Sequence, residues 1–172
     1  MTATAPTSPL TDWTGPYGLP DFTAIRDEDF EPVIRAAFEA HLAEIDAIAA
    51  DPATPTFENT IEALERAGRS LSRVSRIFFT LAGSHTNDTL RATERTMSPL
   101  YARHQTAIAM NKPLFERVDT LWQKREALGL TTEQFRVLER HWKGFVRSGA
   151  ALEGEERERF AAITERLATL GT

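Results

Sequence analysis

PTFENTIEALERAGRSLSRVSRIFFTLAGSHTND, residues 55–88, carries the decisive pattern of this chain. Phe57, Ile61, Leu64, Gly68, Leu71, Ser75, Phe78 and Ala82 recur at alternating steps of four and three, the spacing that keeps side chains on one face of an α-helix. Val74, Phe79 and Leu81 widen that stripe. Thr56 is placed to cap the start, because its hydroxyl accepts from a backbone N–H that has no helical partner. Gly83 is placed to end it. The spacing predicts one uninterrupted helix, which at about 1.5 Å per residue would be roughly 40 Å long. A helix of that length with a wide apolar stripe requires a surrounding helical layer.

The flanking segments supply that layer. Upstream, Phe30, Val33, Ile34, Ala37, Phe38, Leu42, Ile45 and Ile48 form one face of a helix beginning near Phe30. Pro32 is tolerated there only in the first turn, and acidic residues before it suit the positive end of the helix dipole. Asp51-Pro52-Ala53-Thr54-Pro55 interrupts the chain. Downstream, Ser84–Asp88 reads as a polar turn, followed by a helix to about Met110 with Leu90, Met97, Leu100, Tyr101, His104 and Ile108 on one side. Pro99 inside it is expected to kink or split it. Asn111 caps a further helix carrying Leu114, Phe115, Val118, Leu121 and Trp122, closed by Gly129. Thr131–Gln134 has the form of a capping box for the next, with Phe135, Leu138, Trp142, Phe145 and Val146 inward and Gly149 at its end. A last amphipathic stretch from Gly154 carries Phe160, Ile163, Leu167 and Leu170. No segment alternates with period two. The expected fold is therefore all-α, about six helices with antiparallel neighbours joined by short connections.

Residues 1–22 differ from the rest. Pro6, Pro9, Pro16 and Pro20, with Gly15 and Gly18, exclude a helix, so the segment reads as an extended proline-rich arm before a helical domain of residues 23–172. Trp13, Tyr17, Leu19 and Phe22 are its apolar anchors, expected to dock from about Leu10 onward.

Composition bounds the function. The 172 residues suggest one domain with a sizeable core. The net charge of −5 argues against nucleic acid as the main partner. The absence of cysteine rules out disulfide and thiolate chemistry. No apolar run reaches the ~18 residues of a membrane span, and the N-terminus has no signal-peptide pattern, so a cytoplasmic location is expected.

Individual candidates for chemistry are weak. Glu62, Glu65 and Glu94 lie among arginines on charged helical faces, which are ordinarily solvated or paired. His104 on an apolar face reads as a hydrogen-bonded core histidine. His85, beside Ser84, Thr86 and Asn87, is the best small-site candidate, yet turn chemistry accounts for those residues. Ser70, Ser72 and Ser75 have no histidine at a useful helical spacing. Trp122 and Trp142 read as core, and Arg66, Arg69, Arg73 and Arg76 as a solvated basic face. The four histidines are His41, His85, His104 and His141. None has a second histidine four residues away, so there is no HExxH and no pair of imidazoles set for one metal.

The order of several segments resembles a known family. TFENTIEALERAG and SRVSRIFFTLAGSHTND, preceded by SPLTDWTGPYGLPDFTAIRDEDFEPVI (residues 8–34) and followed by MSPLYARHQTAI (97–108) and FVRSGAAL (145–152), resemble the N-terminal region of bacterial peptidyl-dipeptidases. These belong with the oligopeptidase A and thimet oligopeptidase group of zinc metallopeptidases. The resemblance covers nearly the whole chain. It implies a helical region forming part of the wall of a deep channel that admits short peptides and excludes folded proteins. It also implies zinc-assisted hydrolysis through an HExxH helix and a further glutamate in the C-terminal half of such enzymes. None of those residues exists here, so no catalytic, cofactor-binding or metal-binding residue is assigned.

The resemblance leads to two expectations. One is an enzyme's front part, with the catalytic region as partner, zinc in the parent, and self-association through faces left bare. The other is a free-standing helical interaction module. The end of the chain, LATLGT, bears on the choice, because relatives continue into further helices whereas Gly171 is itself a helix terminator.

Overall fold

The computed structural model describes residues 8–156, 159, 160 and 163. Among these residues six α-helices lie between Phe30 and Arg147, and there is no strand. The helices are α1 (Phe30–Ala49), α2 (Ala63–Arg66), α3 (Arg69–Ser84), α4 (Asp88–Ala109), α5 (Lys112–Gln123) and α6 (Thr132–Arg147). The all-α expectation holds. By its contacts the chain divides into two units. The first comprises Met1–Ala47 and Arg66–Gln105, the second Ile48–Glu65 and Thr106–Thr172.

The decisive stretch is helical but not one helix. Thr56 caps it as expected: its hydroxyl accepts from the Asn59 N–H at 3.1 Å, and the Asn59 side chain accepts from the Thr56 N–H at 2.8 Å. The first turns, Phe57–Glu62, are wound as a π-helix, and α2 follows. The run then breaks at Gly68, whose φ of +70° is left-handed, a conformation that costs little only for glycine. The break has a second cause. A Cβ at residue 68 would lie 2.7 Å from the His41 ring, so the backbone comes closer to α1 than any side chain permits. The Gly68 N–H donates to Glu44 Oε2 at 2.6 Å. Periodicity misses this break because Gly68 sits in step with the apolar seam. Gly83 does not end α3, which continues to Ser84 with the His85 N–H bonded to the Leu81 carbonyl.

In the first unit, Phe30, Val33, Ile34, Ala37 and Phe38 of α1 meet Leu71, Val74 and Phe78 of α3 and Leu90 and Met97 of α4 in a single buried cluster. Leu10 joins this cluster and is buried, so the arm does dock from that residue. The other anchors behave differently. Trp13 is half-buried and donates through Nε1 to the Leu10 carbonyl at 2.9 Å. Tyr17 is wholly exposed, Leu19 is 44% exposed and Phe22 55%. The physical reason is local. Residues 15–18 turn through a short 3-10 helix with Tyr17 at φ +62°, and Asp21 closes a second turn by accepting from the Thr23 N–H and hydroxyl, which aims these side chains outward. Phe79, expected within the buried stripe, is 44% exposed, because burial on α3 follows Leu71, Val74 and Phe78.

Pro99 lies inside α4 without splitting it. In the second unit α5 and α6 pack on each other and on the π-helical turns, burying Phe57, Ile61, Leu114, Val118, Leu121, Leu138 and Phe145. Asn111 caps α5 and the Thr131–Gln134 capping box opens α6, as expected. α5 closes at Gln123 and a 3-10 turn precedes Gly129, so that glycine does not end the helix directly. Gly149, at φ +83°, follows α6 against the Phe160 ring. Residues 154–156, 159, 160 and 163 are helical; Ile163 is half exposed rather than inward. Leu167, Leu170 and Gly171 lie outside the described residues.

Candidate functional site

Three polar constellations stand out, and each does identifiable work. The first lies in the first unit. His41 of α1 and His104 of α4 meet with Nδ1 and Nε2 3.0 Å apart, so one imidazole donates to the other. Phe38 packs against His104 with ring centroids 4.7 Å apart, and the Gly68 turn lies against His41. Burial pushes both histidines below the ordinary value. For His41 the Glu44 carboxylate opposes that push, and for His104 the neighbouring His41 adds to it. His104 is thus a hydrogen-bonded core histidine, as its apolar face predicts. Among the described residues its Nδ1 is buried without a partner. His41 as its mate was not legible, because sequence gives no register between α1 and α4.

The second constellation, in the second unit, centres on Arg117, which sequence reading passed over. Its Nη1 donates to the carbonyls of Asp51 and Ala53 at 2.6 and 3.1 Å, and its Nη2 to Asn59 Oδ1 at 3.0 Å. The Asp51 carboxylate lies 3.4 Å away. The guanidinium therefore fastens the proline-bounded linker 51–55 to α5. One signal was available: Arg117 falls in step with Leu114, Val118 and Leu121 on the buried face of α5, where a cation requires several acceptors.

The third is the aromatic group of α5 and α6. Trp122 and Trp142 stack at 4.7 Å, Arg125 lies 4.3 Å over the Trp122 ring, and Trp142 Nε1 donates to Asp119 at 2.8 Å. Both tryptophans are half-buried rather than core, and the stack lies at the margin of the buried α5–α6 cluster.

The remaining candidates are dispersed. Ser75 shares a 2.6 Å hydrogen bond with the Tyr101 hydroxyl, joining α3 to α4, while Ser70 and Ser72 are exposed. Glu65 meets His141 at 2.7 Å in the second unit. Glu94 takes part through its carbonyl, which accepts from Ser98 Oγ, and Glu62 has partners of its own. In the polar turn the work is done by Asn87, whose Oδ1 accepts from the Leu90 N–H and whose Nδ2 donates to Asp27 at 2.6 Å; His85 is exposed. Among the described residues no three His, Asp or Glu side chains are grouped to hold a metal ion. A catalytic zinc needs three protein ligands and an open position. The His41–His104 pair, with its facing nitrogens spent on each other, does not fit one.

Among the described residues these contacts join helices, turns and linkers, and what the geometry describes is a helical scaffold. Relatives of that scaffold are known. The family described as "Neurolysin/Thimet oligopeptidase, N-terminal domain" matches residues 34–157. This chain belongs to that family. The N-terminal domain is 38% identical over 165 residues to dipeptidyl carboxypeptidase of Salmonella typhimurium, covering 95% of this chain and 24% of that protein. It is likewise 38% identical over 161 residues to the Escherichia coli dipeptidyl carboxypeptidase. Oligopeptidase A of Salmonella typhimurium is 25% identical over 155 residues. The chain spans about a quarter of the length of these curated relatives. Among the described residues no helix is long and apolar enough to cross a membrane.

Proposed function

We propose that this chain is the helical N-terminal part of a cytoplasmic zinc metallopeptidase that releases dipeptides from short peptides, with residues 1–22 as an arm and 23–172 as the helical domain. In this reading the chain is not itself catalytic. It walls the substrate channel, and its partner is the catalytic region of the same polypeptide. The observation that carries the reading is the match to dipeptidyl carboxypeptidases over 95% of the chain but only 24% of their length. The scaffold character supports it: the buried polar groups described above are spent on holding helices and linkers in place. A wall acts by exclusion and positioning, so rigid packing is what it must supply.

The test compares two polypeptides, the 172-residue chain and a longer one that includes the region following it. Both are assayed for zinc content and for dipeptide release from the C-terminus of a short peptide. The expected result is stoichiometric zinc and cleavage with the longer polypeptide alone. Cleavage by the 172-residue chain overturns the non-catalytic assignment. A longer polypeptide without zinc or activity overturns the peptidase reading and leaves the free-standing interaction module.

A further inference from the structure

Beside the buried core of the first unit lies a groove of about 470 Å³, lined by Trp13, Leu19 and Phe22 of the arm and by Arg73, Arg76, Ile77 and Leu81 of α3. Leu19 and Phe22 are about half exposed, and Tyr17 stands fully in solvent on the same loop. The surface continues along α3, where Arg76 and Thr80 also border an open depression with Phe79. The result is a cluster of large apolar side chains facing water, which the amphipathic design of α3 does not explain.

The charges in the groove are as informative as its apolar lining. Arg73 lies 4.8 Å over the Trp13 ring. Among the described residues no carboxylate is within ion-pair distance of Arg73 or Arg76, although Arg35, Arg91, Arg117, Arg125 and Arg136 each have one. Aromatic rings with arginine form the composition most enriched in buried protein interfaces. Exposed apolar clusters of this kind ordinarily mark a covered surface.

We propose that the groove between the arm and α3 is the docking surface for the remaining part of the peptidase polypeptide, through an apolar segment that carries carboxylates for Arg73 and Arg76. This rests on the reading of the chain as one part of a longer peptidase, whose relatives supply about four times its length. The occupant inserts an aliphatic or aromatic side chain between Trp13 and Phe22 and places an Asp or Glu against each guanidinium. Arginine suits such pairing because its planar fork matches a carboxylate. The arm, held on the first unit through Leu10 and Trp13, is then clamped from both sides.

Hydrogen exchange of the longer polypeptide against the 172-residue chain tests this directly. Residues 13–24 are expected to exchange about tenfold or more slowly in the longer polypeptide, since covering a loop suppresses its local opening. In that polypeptide, a variant combining Phe22→Asp, Arg73→Glu and Arg76→Glu is expected to abolish the protection and lower the melting temperature. Arg140→Glu, an exposed change elsewhere, leaves both unaltered. Equal exchange of residues 13–24 in the two polypeptides overturns the proposal. So does protection that appears only as the concentration of the 172-residue chain rises, which identifies a second copy as the occupant. The peptidase activity of the unaltered longer polypeptide reports separately on the underlying reading. Activity without protection removes the docking surface alone, and protection without activity removes the peptidase reading alone.

Discussion

Phe78 and Phe79 are neighbours in sequence with opposite fates, and they give the sharpest test of the packing. Phe78 is fully buried, its ring centroid 5.4 Å from that of Phe30, whereas Phe79 is 44% exposed. Phe78→Ala is expected to destabilise the chain by about 3–5 kcal/mol through lost burial and the cavity left behind. Phe79→Ala is expected to cost well under half of that by the same reasoning; denaturant titration of the two variants measures the difference. Arg117 gives a polar counterpart. Arg117→Met removes the donors that hold the carbonyls of Asp51 and Ala53, and an expected loss of roughly 1–3 kcal/mol follows from leaving such groups unmet. The histidine pair makes stability depend on pH. Both imidazoles are held below the ordinary value of 6.5 in the folded chain, first by burial, so the unfolded chain binds more protons as pH falls below that value. Their contribution is fully present above 6.5 and is lost as pH drops through the depressed folded values. Melting temperature measured against pH should fall in that acid window, and His104→Gln should flatten the fall.

The break at Gly68 shows how a local rule and a tertiary contact combine in one place. An unbroken apolar seam runs through residues 57–82, and intrinsic preference gives glycine only a mild penalty inside a helix. What ends the first helical run is the approach of the backbone to His41, together with the Glu44 carboxylate that takes up the freed Gly68 N–H. Gly68→Ala therefore meets two obstacles, a left-handed φ and a Cβ 2.7 Å from an imidazole. It is expected to cost more than the ~1 kcal/mol gained by alanine over glycine in a helix interior, so that the melting temperature falls rather than rises. The opposite outcome, a stabilised variant, would mean that the two helical runs fuse without loss. At the other end of the run, Thr56→Ala removes half of a capping box and should cost about 1 kcal/mol. Pro99 illustrates the converse. It interrupts one hydrogen bond, yet Leu90, Met97 and His104 on either side are buried, and that packing carries α4 through the proline as one helix.

On the scale of the chain, the absence of strands among the described residues predicts a far-ultraviolet circular dichroism spectrum dominated by helix. The proposed function has a consequence of its own: a non-catalytic wall, as proposed above, would be sensitive to rigidity rather than to the identity of any nucleophile. In a longer, active polypeptide, Phe78→Ala should accordingly keep its zinc while losing thermal stability and some discrimination between short and long peptides. Zinc content, melting temperature and cleavage of peptides of two lengths, measured on the same variant, check this together.

Several features follow from the order of residues alone. The helical class, the caps at Thr56, Asn111 and Thr131, the buried identities of Phe30, Phe78 and Leu138, and the family relationship are all legible there. Each depends on local periodicity, on hydroxyl or amide groups within one turn of the backbone, or on motifs in a shared order. Other features depend on side chains far apart in sequence meeting at a distance that no periodicity encodes. His41 meets His104 sixty-three residues on, Arg117 reaches back to Asp51, and Gly68 is pressed against α1. The arm divides along the same line. Its prolines exclude a helix without reference to any neighbour, but only the folded first unit decides that Leu10 is buried while Tyr17 and Phe22 face water, because a loop with two tight turns is aimed by its own backbone rather than by the hydrophobicity of its side chains.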